Sequence, residues 1–217
     1  MSSVRMTQVS QSVESLAVEF FQQSAGEWKS QRRYYTLNKE TEPQEVESRL
    51  SVTFLEQGAP QLIELAQSHQ LDEIDSLICG CENTALPARE RGLQGAEVNS
   101  AHSPSPSSRA QRTQVTWESN YTGQIRKPSS GSTVFGVKGN ILYRDRGFAT
   151  PNPVIATFSF TNPQTMCLRT EYKGSVFEEE IKLVGQNYRT RQTIISRAGQ
   201  EIMIGQYLEK RLLNAEI

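Results

Sequence analysis

The chain has 217 residues, with 23 Lys+Arg against 24 Asp+Glu and a formal net charge of −1, a balance that leaves no broad basic footprint for nucleic acid. No apolar run approaches the roughly 20 residues that a membrane-spanning helix needs, and the opening MSSVRMTQVSQSVESLAVEFF lacks the apolar core of a signal peptide. Cys79, Cys81 and Cys167, with two distant histidines, supply no second ligand pair for zinc. The expectation is a cytoplasmic protein with reduced thiols, no metal, no membrane insertion and a single domain over 1–217.

Val13, Leu16, Ala17, Phe20 and Phe21 recur at helical spacing after Ser12, a candidate N-cap, and predict a helix over Ser12 to Gln23. Its length suits a plug or lid across the end of a barrel. Ser24 to Tyr35 leads into a first strand, where Trp28 and Arg32 share a face. A second strand covers Glu45 to Leu55, and Val46, Leu50, Val52 and Phe54 alternate along it. Pro60 then suits the first turn of an amphipathic helix carrying Leu62, Ile63, Leu65 and Ala66. Asp72 to Leu77 reads as a further short helical piece. Residues 82–114 hold few large apolar side chains and a Ser-Pro-Ser-Pro run at 103–106, which predicts a disordered loop insertion. A scaffold role for that loop in binding a partner rests on composition alone.

Strands resume at Gln114 to Thr122, with Val115, Trp117, Ser119 and Tyr121 on one face, and continue at Gly131–Val137, Asn140–Arg144 and Val154–Phe160. Four more follow in 165–211. In the first of these, Met166, Leu168, Thr170 and Tyr172 fall on one face and Cys167, Arg169 and Glu171 on the other. Lys173-Gly174-Ser175 turns the chain, and Phe177, Ile181 and Leu183 then alternate with Glu178, Glu180 and Lys182. Tyr188 to Ser196 and Glu201 to Glu209 are separated by Ala198-Gly199. About ten strands in this order predict a mainly β protein, a closed antiparallel up-and-down barrel with a small-ligand cavity. The alternation does not say which face is inside. The run Glu178-Glu179-Glu180 reads as a solvated hairpin edge that deters aggregation.

Phe20-Phe21 ahead of SAGEWKSQR (24–32), then VTWES (115–119), GSTV (131–134), RGFA (146–149), LRTEY (168–172), NYRTR (187–191) and QYLEKR (206–211) occur in this order. Together they resemble the S/U-type phycobiliprotein chromophore lyases, the CpcS/CpeS/CpcU family. The resemblance implies a lipocalin-like (fatty-acid-binding-protein-like) barrel with an N-terminal helix and a short helical insertion. It also implies a lyase that carries a linear tetrapyrrole, a bilin such as phycocyanobilin or phycoerythrobilin, as substrate rather than as a tightly bound cofactor. The bilin is attached through a thioether to a cysteine of an apo phycobiliprotein subunit. The lyase acts alone, as a homodimer, or with a second S-type chain, during phycobilisome assembly in the cyanobacterial cytoplasm.

Bilin chemistry accounts for the residue types. Two propionates call for arginine forks, pyrrole nitrogens for a carboxylate, and flat rings for aromatic walls. The resemblance assigns the catalytic carboxylate to Glu171 and bilin binding to Trp28, Arg32, Trp117, Tyr172, Arg189, Arg191, Glu209 and Arg211, with no metal. One departure is Ile181-Lys182-Leu183-Val184, where the family often has an arginine followed by Leu-Trp-Phe. Lys182 is then the substitute cation, without a bidentate fork. That loss fits U-like members that serve as partner subunits, so a non-catalytic carrier or chaperone for bilin or another small apolar ligand is the alternative.

Overall fold

The computed structural model describes residues 11–37, 40–73, 75–86, 131–148 and 150–213. Helix α1 (Val13–Ser24) precedes strands β1 (Gly26–Thr36) and β2 (Gln44–Glu56), and α2 (Pro60–Ser68) interrupts the strand series. Eight strands follow: β3 (Cys79–Leu86), β4 (Gly131–Lys138), β5 (Ile141–Arg144), β6 (Val154–Asn162), β7 (Thr165–Tyr172), β8 (Ser175–Val184), β9 (Tyr188–Arg197) and β10 (Gln200–Arg211). Each pairs antiparallel with its sequence neighbour, and β1 pairs with both β2 and β10, which closes a ten-stranded barrel. The expected mainly β, antiparallel barrel is therefore present. No helix among the described residues is long and apolar enough to cross a membrane.

Local chemistry sets the ends of these elements. Ser12 caps α1, its hydroxyl accepting the Ser15 amide at 3.1 Å. Lys173-Gly174 and Ala198-Gly199 take positive φ at both positions, which is the backbone a two-residue hairpin requires. Pro60 occupies the first turn of α2.

Three sequence expectations need correction or lie elsewhere. Residues 82–86 are not part of a loop but the second half of β3, which pairs with β2 and β4. Small and polar residues such as Gly80, Asn83 and Thr84 hide a strand from a hydrophobicity pattern. The segment 72–77 has no helix among its described residues. The predicted strand at 114–122 lies outside the described residues, as does most of the expected insertion.

Two apolar clusters divide the work. Inside the barrel, Phe20 and Phe21 of α1 pack with Trp28, Leu50, Val52, Leu142, Phe158, Met166 and Leu168. Outside it, α2 lays Leu62, Leu65 and Ala66 on Leu55, Leu77 and Val134, each fully buried aliphatic side chain contributing about 2 kcal/mol. Gly80 and Gly136, paired across β3 and β4, form the floor under α2. A Cβ at Gly80 would sit 2.0 Å from the Phe135 carbonyl oxygen, and one at Gly136 2.9 Å from Leu62 Cδ2 and Leu77 Cδ1.

Both positions should therefore resist enlargement, to different degrees. Gly136→Ala should cost about 1–3 kcal/mol, because leucine side chains can give way. Gly80→Ala meets backbone and should cost more. Urea unfolding checks the order; equal or reversed losses would contradict this packing.

Candidate functional site: the barrel lumen

Helix α1 seals the end of the barrel at which β1 begins. Phe20 meets Phe160 edge-on at 5.7 Å and Phe21 lies 6.1 Å from Phe135. Beneath the helix, Trp28 is fully buried and donates its indole N–H to the Ser24 carbonyl at 2.9 Å. The guanidinium carbons of Arg211 and Arg189 stand 4.2 Å and 4.8 Å from the centroid of its ring. Arg211 spends its donors on the backbone carbonyls of Gln23, Ala25 and Gln186, satisfying acceptors that the end of α1 leaves open. At the other end of α1, Glu14 accepts the Gly139 amide at 2.6 Å. The helix is a plug pinned at both ends. Trp28 and Arg211, both expected at the bilin, belong to that closure and do not line the cavity.

Above the plug, the two-residue period of β1, β8, β9 and β10 builds a charged belt. Arg189 pairs with Glu209, whose other oxygen accepts from Ser30 at 3.2 Å. Arg32 donates its Nε–H to the Ser30 hydroxyl at 3.2 Å. One nitrogen of Arg191 reaches both oxygens of Glu179 at 2.7 Å. The Glu179 and Glu209 side chains are only 4% and 3% exposed. Tyr207 and Tyr34 join hydroxyls at 3.2 Å, and Arg32 and Arg191 approach the Tyr207 ring at 5.5 Å and 5.2 Å.

At the end opposite α1, Tyr172 stacks on Phe177 at 4.7 Å, and Phe177 on Phe148 at 5.6 Å. Arg144 and Arg191 flank Phe148 at 5.3 Å and 5.5 Å. The cavity is about 130 Å³, room for several waters beside these polar groups.

The electrostatics follow from burial. Desolvation alone would raise the Glu209 carboxyl, but Arg189, with Arg191 and Arg32, holds it below the ordinary glutamate value. Burial pushes the Tyr207 phenol up, so it stays protonated at neutral pH. Burial likewise pushes the Cys79 thiol up to about 12 and the Cys81 thiol higher still, so neither is a ready nucleophile. Arg32, Arg144, Arg189 and Arg191 face the lumen with only Glu179 and Glu209 to balance them among the described residues. Two positive charges are left over.

The structure brings Arg32, Arg189, Arg191 and Glu209 together in the lumen, places Tyr172 in the ring stack at the end opposite α1, and leaves Trp117 outside the described residues. It does not bring Glu171 there. On β7 the even positions Met166, Leu168 and Thr170 are buried, so Glu171 points outward. Its side chain is 60% exposed and paired with Arg169, which also holds Glu178. Glu179 was missed because it sits in an acidic run, and it is not part of a solvated edge. The signal was its even spacing between Phe177 and Ile181, both on the inner face. Lys182 is exposed on the outer face and cannot replace a lumen cation. Arg144, Phe148 and Tyr207 carried no signal beyond their place in strands and turns.

Because the folded pKa of Glu209 is depressed, its stabilisation is present above the unfolded glutamate value near ~4.3. It is lost as pH falls through the lower folded value. Urea midpoints at neutral pH and at about pH 3.5 should show this loss in the wild type, and a smaller loss in Glu209→Gln. At neutral pH that variant should be less stable by about 3 kcal/mol, since it strands Arg189. Parallel pH dependences would contradict the assignment.

Comparison with known proteins places this geometry. The model of the CpeS-like protein family matches residues 17–83 and 87–212. CpcS 2 of Nostoc sp. is 52% identical over 200 residues, covering 92% of this chain and 93% of that one. The phycocyanobilin lyase subunit CpcS of Picosynechococcus sp. is 27% identical over 191 residues, covering 84% and 79%. The solved structure of the S-type phycobiliprotein lyase CPES from Guillardia theta superposes with a TM-score of 0.65 at 18% identity, over 94% of this chain and 95% of that one; it shows the shared fold. A closed barrel with a guanidinium-rich lumen and a family match over nearly its whole length make this chain a member of the CpeS-like family.

Proposed function

We propose that this chain is a chromophore lyase. It binds a linear tetrapyrrole in the barrel lumen and promotes thioether attachment to a cysteine of an apo phycobiliprotein subunit. The observation that carries the reading is the surplus of guanidinium groups inside a CpeS-like barrel. A bilin brings two propionates, which match the two positive charges that Glu179 and Glu209 leave unbalanced. Relatives named as chromophore or phycocyanobilin lyases support the same chemistry.

The residues divide the task. Glu209, ionised because of Arg189, accepts hydrogen bonds from pyrrole N–H groups and favours their protonated form; Glu179 beside Arg191 does the same from β8. That protonation draws electron density from the conjugated system and makes the exocyclic carbon beside ring A electrophilic. The acceptor thiol adds there: a C–S bond forms, the exocyclic C=C π bond is consumed, and the thiol proton ends on the ring carbon. The lumen thiols, held neutral by burial, do not compete. The ring stack at the end opposite α1 offers a flat surface to the part of the bilin presented to the acceptor. The site of action is the cyanobacterial cytoplasm, with phycocyanobilin or phycoerythrobilin as substrate.

Co-expression with bilin synthesis and one apo phycobiliprotein subunit at a time tests this. The readouts are acid-denatured absorption and zinc-induced fluorescence of the acceptor. Glu179→Gln and Glu209→Gln should each lower covalent product about tenfold or more, the scale of one lost charge-assisted contact. Glu171→Gln should leave it near wild type. If Glu171→Gln abolishes product while the inner variants retain it, the lumen chemistry proposed here is wrong. Product that forms only with an added second S-type chain would make this protein a partner subunit.

A further inference from the structure

Of the four lumen arginines, Arg189 and Arg191 have carboxylate partners, and Arg32 leans on the Ser30 hydroxyl and the Tyr207 ring. Arg144 differs. It ends β5, and its Nε, like that of Arg191, is sealed from water with no hydrogen-bond acceptor, but unlike Arg191 it has no carboxylate pair among the described residues. Aromatic faces surround its guanidinium, Phe148 at 5.3 Å and Phe135 at 5.9 Å. Among the described residues no ion pair joins it to a carboxylate. The carboxylates that could serve are committed elsewhere. Asp145 pairs with Arg146 and accepts from Thr133 and the Val134 amide, and Glu179 gives both oxygens to Arg191.

Holding a cation in this state is costly, because its Nε has left water without gaining an acceptor. Burial, opposed by Glu179 and reinforced by Arg191, pulls its pKa below the ordinary arginine value, yet arginine stays charged in proteins. The residue is also fixed in place: its backbone carbonyl lies 2.9 Å from His69 Nε2 at the end of α2, and the ring of His69 meets Tyr143 edge-on. An anchored cation on the cavity wall, without a carboxylate partner among the described residues, is a prepared anion site.

We propose that Arg144 is the specificity-determining residue that reads a free carboxylate of the ligand, one propionate of the bilin, and so selects the acid over its ester. The assignment rests on the bilin reading above. On binding, the guanidinium exchanges ring contacts for a charge-assisted pair, and the rings of Phe148 and Phe135 become free to pack on the ligand.

Absorbance titrations with biliverdin and with biliverdin dimethyl ester test this on wild type and Arg144→Gln. Wild type should prefer the diacid. Arg144→Gln should weaken diacid binding about tenfold or more and leave the diester unchanged, so the preference collapses. Equal weakening of both compounds, or an unchanged diacid affinity, would overturn the assignment while leaving the bilin reading intact. A wild type that binds neither compound would overturn both. Thermal unfolding without ligand gives an independent readout. Arg144→Met should melt at or above the wild-type temperature, because it removes an unpaired buried charge. A sharp fall in Tm would show a structural partner and count against the proposal.

Discussion

Closing ten strands into a barrel leaves each strand residue two destinations, lumen or outer wall, and the two-residue period decides between them without intermediate cases. The rest of the site depends on that constraint. Along β9 the period places Arg189, Arg191 and Thr193 inside; along β10 it places Tyr207 and Glu209 inside, and along β8 Phe177, Glu179 and Leu183. Register then sets partners. Arg189 lies opposite Glu209, and Arg191 opposite Tyr207. A slip of one residue in any of these strands would turn the charges out to solvent and bring Gln192 or Leu208 in.

Charges buried in this way are weak evidence for stability. Taking Glu209 and Arg189 out of water costs several kcal/mol per ion, and their mutual attraction repays it only because Ser30 supplies a further hydrogen bond. An apolar lumen of equal volume would fold at least as well. Arg32 and Arg144 have ring and hydroxyl contacts but no carboxylate partner among the described residues, which fits preparation for an anionic ligand. The cost is borne by the apolar cluster around Phe20, Phe21 and Trp28, and by the clamp that Arg211 makes between α1 and the barrel.

Much of this was legible before the structure. The helix over Ser12–Gln23, its Ser12 cap, the hairpin turns and the shared face of Trp28 and Arg32 all came from spacing and turn chemistry. At Glu171 resemblance and alternation point to opposite faces, and the side chain follows the alternation. Met166, Leu168 and Thr170 already marked the inner face of β7, and Glu171 is out of phase with them. Glu179 was legible by the same logic and was passed over because its neighbours Glu178 and Glu180 are solvated. Strand β3 was hidden for a different reason. Its glycine, cysteines and small polar residues pack against α1, α2 and the lumen, where bulk is excluded, so the apolar signal of a strand is absent. Arg144 as an unpaired cation could not be read from sequence, because what defines it is the prior commitment of Glu179 and Asp145 to other partners.

In the binding mode proposed above, the ligand sits inside the barrel, among Arg32, Arg191, Glu179 and Glu209, rather than against the outer wall that carries Glu171. A crystal structure of the protein soaked with bilin tests it most directly. Tetrapyrrole density is expected in the lumen above Phe20 and Phe21, with carboxylates at guanidinium groups and pyrrole nitrogens facing Glu179 or Glu209. Bilin density on the outer face of β7 and β8, beside Arg169 and Glu171, with the lumen charges unchanged, would contradict it.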